Sequence, residues 1–253
     1  MSESKRDPVD GLANSSVLGR LLEEISWEGP RVRGYRDGGR GRENVLTAEV
    51  LGPLSYLPRS VSLAAVFRAA HGADETRERV AAEAEQARII LLPEESTLAP
   101  GGTVVQPDGL LVTPSCHVLL ESKGMGRSTF QPEQLSREFA CVTRDAGVAR
   151  ALLLLITPAA PPVPVRGHGL LPIEAAIRLY LEPVLARTRG LDIPLDDLIA
   201  RVPDTVAWIT WNEVQAAVAG APIDLTALPA SIAGTVQRLR DDLVGAIDWH
   251  ARR

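Results

Sequence analysis

Apolar residues recur at helical spacing in the first third of the chain and give way to short unbroken apolar runs in the middle third. Residues 16–25 carry a brief helical pattern in a polar surround. From Glu43, the positions Val45, Leu46, Ala48, Val50, Leu51 and Leu54 follow three- and four-residue steps, which predicts a helix that Pro53 kinks or ends. Two more helices are expected over 62–70 and 74–88, the second rich in Ala, Glu and Arg with one side facing solvent. Then the period changes. Residues 89–92, 103–106, 109–113 and 117–123 are β-prone runs separated by Pro107-Asp108 and Pro114-Ser115, and Gly124-Met125-Gly126 closes the last of them. Residues 132–143 return to helical spacing, with Leu135, Phe139 and Val142 as the buried stripe and Pro132 suited to a first turn. Residues 151–157 are continuously apolar up to a final Thr, as a strand buried on both faces would be. A Pro- and Gly-rich loop is expected at 159–169, then a helix over 173–187 interrupted or offset at Pro183. A strand at 205–210, a helix at 211–219 and a terminal helix at 231–249 complete the pattern. This order predicts an α/β domain with a central mixed sheet flanked by helices. Its core is expected over 43–157, with a segment 1–42 before it and a mainly helical extension, 158–253, packed on it.

The 253 residues are 45% hydrophobic, too apolar for a disordered chain. The longest aliphatic run, 151–156, is far short of the roughly 20 residues that span a bilayer. The first ten residues mix charges of both signs and lead into no signal-type hydrophobic stretch. Cys116 and Cys141 are too few for a disulfide framework or a thiolate metal site. A soluble, cytoplasmic protein without membrane contact is therefore expected. The net charge of -5 argues against non-specific coating of nucleic acid but leaves room for a local basic patch. Arg31, Arg33, Arg36, Arg40 and Arg42 supply one, interleaved with Gly34, Gly38, Gly39 and Gly41. Such a loop either solubilises the chain or contacts phosphates, for which arginine's donor fork is suited.

The chemistry is concentrated in Gln106-Pro107-Asp108-Gly109 and Leu119-Leu120-Glu121-Ser122-Lys123. Side chains alternate along a strand, so Glu121 and Lys123 share a face while Leu120 and Ser122 take the other. Two acids and a lysine converging on an apolar hairpin need partners, and a divalent cation suits the hard oxygens of Asp108 and Glu121. Mg²⁺ is the expected ion, with Mn²⁺ able to substitute, and the Ser122 carbonyl offers a further oxygen. Lys123 beside a metal-activated water would orient it, help deprotonate it or stabilise developing negative charge. Hydrolysis of a phosphodiester fits this set; a salt-bridged hairpin is the plain alternative. On the following helix Gln131, Gln134 and Glu138 share a face. Gln134 is the best placed to hold a water, the lysine or a phosphate, and Arg137 lies off or at the margin of that face. Gln131 and the polar loop of Gly124, Gly126, Arg127 and Ser128 are candidates for following a phosphate backbone. No dinucleotide or phosphate-loop signature is present, and no two histidines have metal-ligand spacing.

Pro107-Asp108, followed thirteen residues later by Glu121-Ser122-Lys123, resembles the signature of the restriction-endonuclease-like superfamily, the PD-(D/E)XK nucleases. The four signature positions Pro107, Asp108, Glu121 and Lys123 are all present, and a compatible element order covers roughly 43–157. The resemblance implies a helix leading into a hairpin that carries the acids and the lysine, then a helix and a central strand. It also implies Asp108, Glu121, Lys123 and Gln134 as catalytic residues and an acid from the first core helix. Glu43 and Glu49 compete for that last role. They are about 240° apart around a helix, so only one can face the site. Glu43 has the freer approach and is preferred; Glu49 lies among apolar neighbours.

The main expectation is thus a Mg²⁺-dependent endonuclease acting on DNA, with the arginine loop holding backbone phosphates. No DNA-reading motif is visible, so specificity would be absent, shape-based or supplied by a partner protein. A small acidic nuclease of this kind would suit a restriction, anti-phage defence or repair system, and a homodimer would match the two strands of a duplex. Two rivals stand beside it: a non-catalytic nucleic-acid-binding or scaffold subunit on the same fold, and a phosphodiesterase for small nucleotides.

Overall fold

The computed structural model describes residues 42–99, 104–126 and 128–252. The expected helix at 16–25 and the arginines Arg31, Arg33, Arg36, Arg40 and Arg127 lie outside the described residues, as does the side chain of Arg42.

A five-stranded mixed sheet runs through the middle of the chain, flanked by helices on both faces. Its order is β1 (Arg88–Leu91), β4 (Gly109–Val112), β5 (Cys116–Ser122), β6 (Arg150–Thr157) and β9 (Val206–Thr210). β1–β4–β5 are antiparallel; β5, β6 and β9 are parallel. Two short pairs stand apart, β2 (Ser96–Thr97) with β3 (Val104–Val105), and β7 (Val163–Val165) with β8 (Gly169–Leu171).

β6 shows why the sheet has two cores. Leu152, Leu154 and Ile156 point into one apolar cluster, Leu153 and Leu155 into the other. The first cluster is closed by α1 (Arg42–Tyr56), α2 (Ser62–Ala69), α3 (Asp74–Ala82), α7 (Trp211–Ala219) and α8 (Ala230–Ala251). The second is closed by α4 (Gln134–Ala146), α5 (Ile173–Leu185) and α6 (Leu195–Thr205). A strand with apolar side chains on both faces can only be stable between two such layers.

The structure departs from the sequence pattern at several places. The sheet does not end at Thr157: β9, from within 158–253, pairs with β6 as the fifth strand. α6 was not expected; its Asp196 and Asp197 sit in the first turn, where the helix dipole favours them. The expected loop at 159–169 holds the β7–β8 hairpin, whose Gly167 and Gly169 take positive φ angles. Pro53 and Pro183 both lie inside helices that continue past them. The third helix stops at Ala82 rather than Arg88, and Glu83 instead turns its carboxylate to Thr113 and Ser115.

The outer edge of β9 is closed by His71, whose backbone N–H and C=O both bond Trp208 at 2.8 and 2.9 Å. Gly72 beside it has φ +80°, and a Cβ there would lie 2.7 Å from the Val206 carbonyl oxygen. Among the described residues no helix is long and apolar enough to cross a membrane.

Leu154, with 1% of its surface exposed, should lose about 2–5 kcal/mol of stability on substitution by Ala, from lost transfer energy plus a cavity. Val148→Ala, at a fully exposed position, should stay within about 0.5 kcal/mol of wild type. Urea unfolding followed by circular dichroism separates the two.

Candidate metal centre

β5 ends where its neighbours also present polar groups, and that edge gathers the titratable side chains. Glu121 is the last outward acid on the α4 face of β5; Ser122 is on the α1 face, and Lys123 continues the strand with its N–H on the Ile156 carbonyl. Asp108 precedes β4 directly. Gly109, paired with Leu120, lets β4 approach: a Cβ there would stand 3.0 Å from the Leu120 Cδ1. This close pairing carries Asp108 to the end of β5.

The Lys123 ammonium bonds Glu121 Oε1 at 2.7 Å and Glu43 Oε1 at 3.0 Å, and lies 4.9 Å from the centre of the Phe130 ring. Glu43 Oε2 accepts from the Gly124 N–H at 3.2 Å. Glu43 comes from the first turn of α1, 80 residues before the lysine. Glu49 faces elsewhere and pairs with His250 of α8 at 2.8 Å, as the rotation around the helix requires. Asp108 Oδ2 accepts two bonds from Ser122, from N at 2.7 Å and from Oγ at 2.6 Å. One carboxylate oxygen each from Glu43, Asp108 and Glu121 lie within 4.8 Å of one another, so the three could share a cation.

α4 supplies the remaining wall. Gln134 donates its side-chain N–H to Glu121 Oε1, and its own Oε1 accepts from the Gln131 backbone N–H at 3.3 Å. Gln131 is exposed and reaches the centre only through that backbone bond. Ser122 meets Asp108 through N and Oγ. Since the Lys123 N–H faces β6, the Ser122 N–H and carbonyl both leave the strand on the opposite edge, towards Asp108. Trp211, fully buried, donates its indole N–H to the Lys123 carbonyl at 2.7 Å. Thus the side chains of Glu43, Asp108, Glu121, Lys123 and Gln134 converge.

Three further residues take part, with very different visibility in the sequence. Glu138 is buried, with Oε2 lacking any hydrogen-bond partner. Its position four residues after Gln134, on the same helix face, is the signal that marks it. Arg137 is no simple surface charge, because its Nε is buried and unpartnered. Thr47 on α1, also buried, contacts Ser122; nothing in the sequence distinguishes it from other helix threonines.

Electrostatics follow from four acids around one ammonium. Burial, then the Glu43 charge, pushes Asp108 up to about 6 against the Ser122 bonds. Burial, then Glu138 and Asp108, holds Glu121 well above the ordinary carboxylate range. Burial carries Glu138 to about 8. Burial alone would lower Lys123, but the charges of Glu121, Glu43 and Glu138 outweigh it and keep the ammonium above its ordinary value. Carboxylates that resist ionising in the cation-free chain, with oxygens left unbonded, form the donor set a hard divalent ion stabilises.

No family model, curated protein or solved structure matches this chain.

These shifts fix the sign of a pH effect. Asp108, Glu121 and Glu138 ionise less readily folded than unfolded, so their contribution to stability is complete below about pH 4. It is lost as pH rises through about 6 for Asp108 and about 8 for Glu138. Lys123 stays protonated in both states over this window. The unfolding temperature in EDTA should therefore fall between pH 5 and pH 8.5, with a smaller fall in Glu138→Gln. Mn²⁺ should oppose it. Scanning calorimetry across that range checks all three.

Proposed function

We propose that this protein is a divalent-metal-dependent nuclease, of the restriction-endonuclease-like kind, that hydrolyses DNA phosphodiester bonds. The observation that carries this reading is the convergence of Glu43, Asp108 and Glu121 within 4.8 Å, with the Lys123 ammonium 2.7 Å from Glu121. Further support comes from the order in which α1, the β4–β5 pair, α4 and the central strand β6 follow one another around these residues. Mg²⁺ is the ion best suited to an all-oxygen set of this size, and Mn²⁺ is its natural substitute.

Asp108, Glu121 and Glu43 would hold the ion, with the Ser122 carbonyl on the Asp108 edge as a further oxygen. Such an ion lowers the pKa of a water and neutralises charge building on the phosphoryl oxygens. In the overall reaction the water oxygen bonds to phosphorus, one ester oxygen leaves, and a proton ends on the leaving alcohol. Lys123, held as an ammonium by the neighbouring carboxylates, donates hydrogen bonds and stabilises negative charge. Gln134 fixes Glu121 through Oε1, which also accepts from Lys123. Trp211 holds the Lys123 backbone so that the ammonium stays over the acids. Duplex contact falls to Gln131 at the rim and to the arginines Arg31, Arg33, Arg36, Arg40, Arg42 and Arg127. A partner protein would supply targeting, and restriction, anti-phage defence or repair is the setting this suits.

The test is cleavage of plasmid, linear duplex and single-stranded DNA with Mg²⁺, Mn²⁺ or EDTA. Wild type should cut only with metal, and Asp108→Ala and Lys123→Ala should each lose at least about 10²-fold in rate. Folded wild type that binds DNA without cutting, unchanged by Lys123→Ala, would make the chain a binding subunit. Cleavage of mononucleotide esters but no polymer would make it a small-nucleotide phosphodiesterase.

A further inference from the structure

Ser122 and Thr47 form a buried polar link between the strand that carries Glu121 and Lys123 and the helix that carries Glu43. Each has 1% of its surface exposed, and their hydroxyl oxygens are in direct hydrogen-bond contact. Ser122 Oγ donates to Asp108 Oδ2 at 2.6 Å. Thr47 Oγ1 donates to the Glu43 carbonyl oxygen at 2.9 Å, one turn back along α1. The chain therefore runs from the Glu43 backbone through Thr47 and Ser122 to the Asp108 carboxylate.

The hydrogen count makes this link directional. Two hydroxyls bring two protons. Once Ser122 gives its proton to Asp108, its oxygen is left as an acceptor, and the one Thr47 proton is shared between that oxygen and the Glu43 carbonyl. Asp108 otherwise stands on a loop between β3 and β4, where among the described residues Ser122 alone hydrogen-bonds its carboxylate. Both bonds end on Oδ2, so they set the plane of the carboxylate while Oδ1 keeps its lone pairs. The same link sets the height of α1 against β5, and Glu43 stands one turn from Thr47 on that helix.

We propose that Thr47 is a positioning residue of the metal centre, acting through Ser122 to orient Asp108 and to hold the Glu43 turn of α1 at ligand distance. The proposal rests on the metal reading of the Glu43, Asp108 and Glu121 cluster. Groups that hydrogen-bond a metal ligand commonly change affinity by about 10–100-fold when removed.

The test is Mn²⁺ binding to the full chain, by calorimetry and by the paramagnetic resonance signal of free Mn²⁺, with metal-free unfolding measured beside it. Wild type should bind Mn²⁺ and Asp108→Asn should lose it. Thr47→Val and Ser122→Ala should each weaken binding about tenfold. Thr47→Ser, which restores the hydroxyl, should bind like wild type. The double variant should be no weaker than Ser122→Ala, because the two groups act in series. If Thr47→Val fails to fold, Thr47→Ala, which cannot overpack the site, takes its place. Thr47 variants that bind Mn²⁺ as wild type does, whatever their unfolding temperature, would overturn the proposal and leave Thr47 a packing residue. Wild type that binds no Mn²⁺ would overturn the metal reading itself, and the proposal with it.

Discussion

The ammonium of Lys123, bonded at once to Glu121 and Glu43, is the interaction around which this structure is organised. A carboxylate moved out of water costs several kcal/mol even after relaxation, and Asp108, Glu121 and Glu138 are all buried beside it. Among the described residues, the Lys123 ammonium and the Arg137 guanidinium face four acids. Burial first, and repulsion among the acids second, hold Asp108 and Glu121 reluctant to ionise. The proposed metal site rests on this excess of carboxylates, which a salt-bridged hairpin alone would not need.

Holding such a cluster needs rigid supports from distant parts of the chain. The lysine backbone is fixed from two sides, by the Ile156 carbonyl on β6 and by the Trp211 indole at the start of α7. α7 begins in a capping box in which Thr210 and Glu213 satisfy each other's backbone N–H groups. Glu213 also bonds His71 at 2.7 Å, whose backbone closes the edge of β9. The C-terminal third thus acts on the site through the sheet: β9 and α7 set where Lys123 sits, and α8 packs along α1.

What could be read from the sequence divides along a physical line. The two-faced core strand and the alternation that puts Glu121 and Lys123 together are local consequences of periodicity, and β6 and β5 follow them. The α/β class and its central mixed sheet follow from element order. The choice between Glu43 and Glu49 is a matter of helix geometry, and the two acids do face different partners. The rest depends on contacts between distant residues. Nothing near 206–210 says that this strand joins β6, and nothing near Thr47 says that a serine 75 positions later will meet it. No helix was expected over 195–205, where packing of Leu198 and Val202 into the second core holds α6 with Pro203 inside it.

α1 shows how these constraints combine. Glu43 ties its first turn to Lys123, Thr47 ties its second to Ser122, and Glu49 ties it to the buried His250 of α8. Leu46, Val50 and Leu54 fill the first core between these ties. A helix held only by apolar contacts can slide or rotate at little cost, since such contacts are not directional. Polar ties on two faces, Glu43 with Thr47 on one and Glu49 on the other, remove that freedom. Two of them involve groups that would be buried unsatisfied if the helix shifted, and leaving a buried donor or acceptor unpaired costs about 1–3 kcal/mol. The position of Glu43 is therefore specified by the helix as a whole, and its carboxylate is held beside Asp108 and Glu121 by the fold itself. Preorganisation of that kind is what the proposed metal site would require.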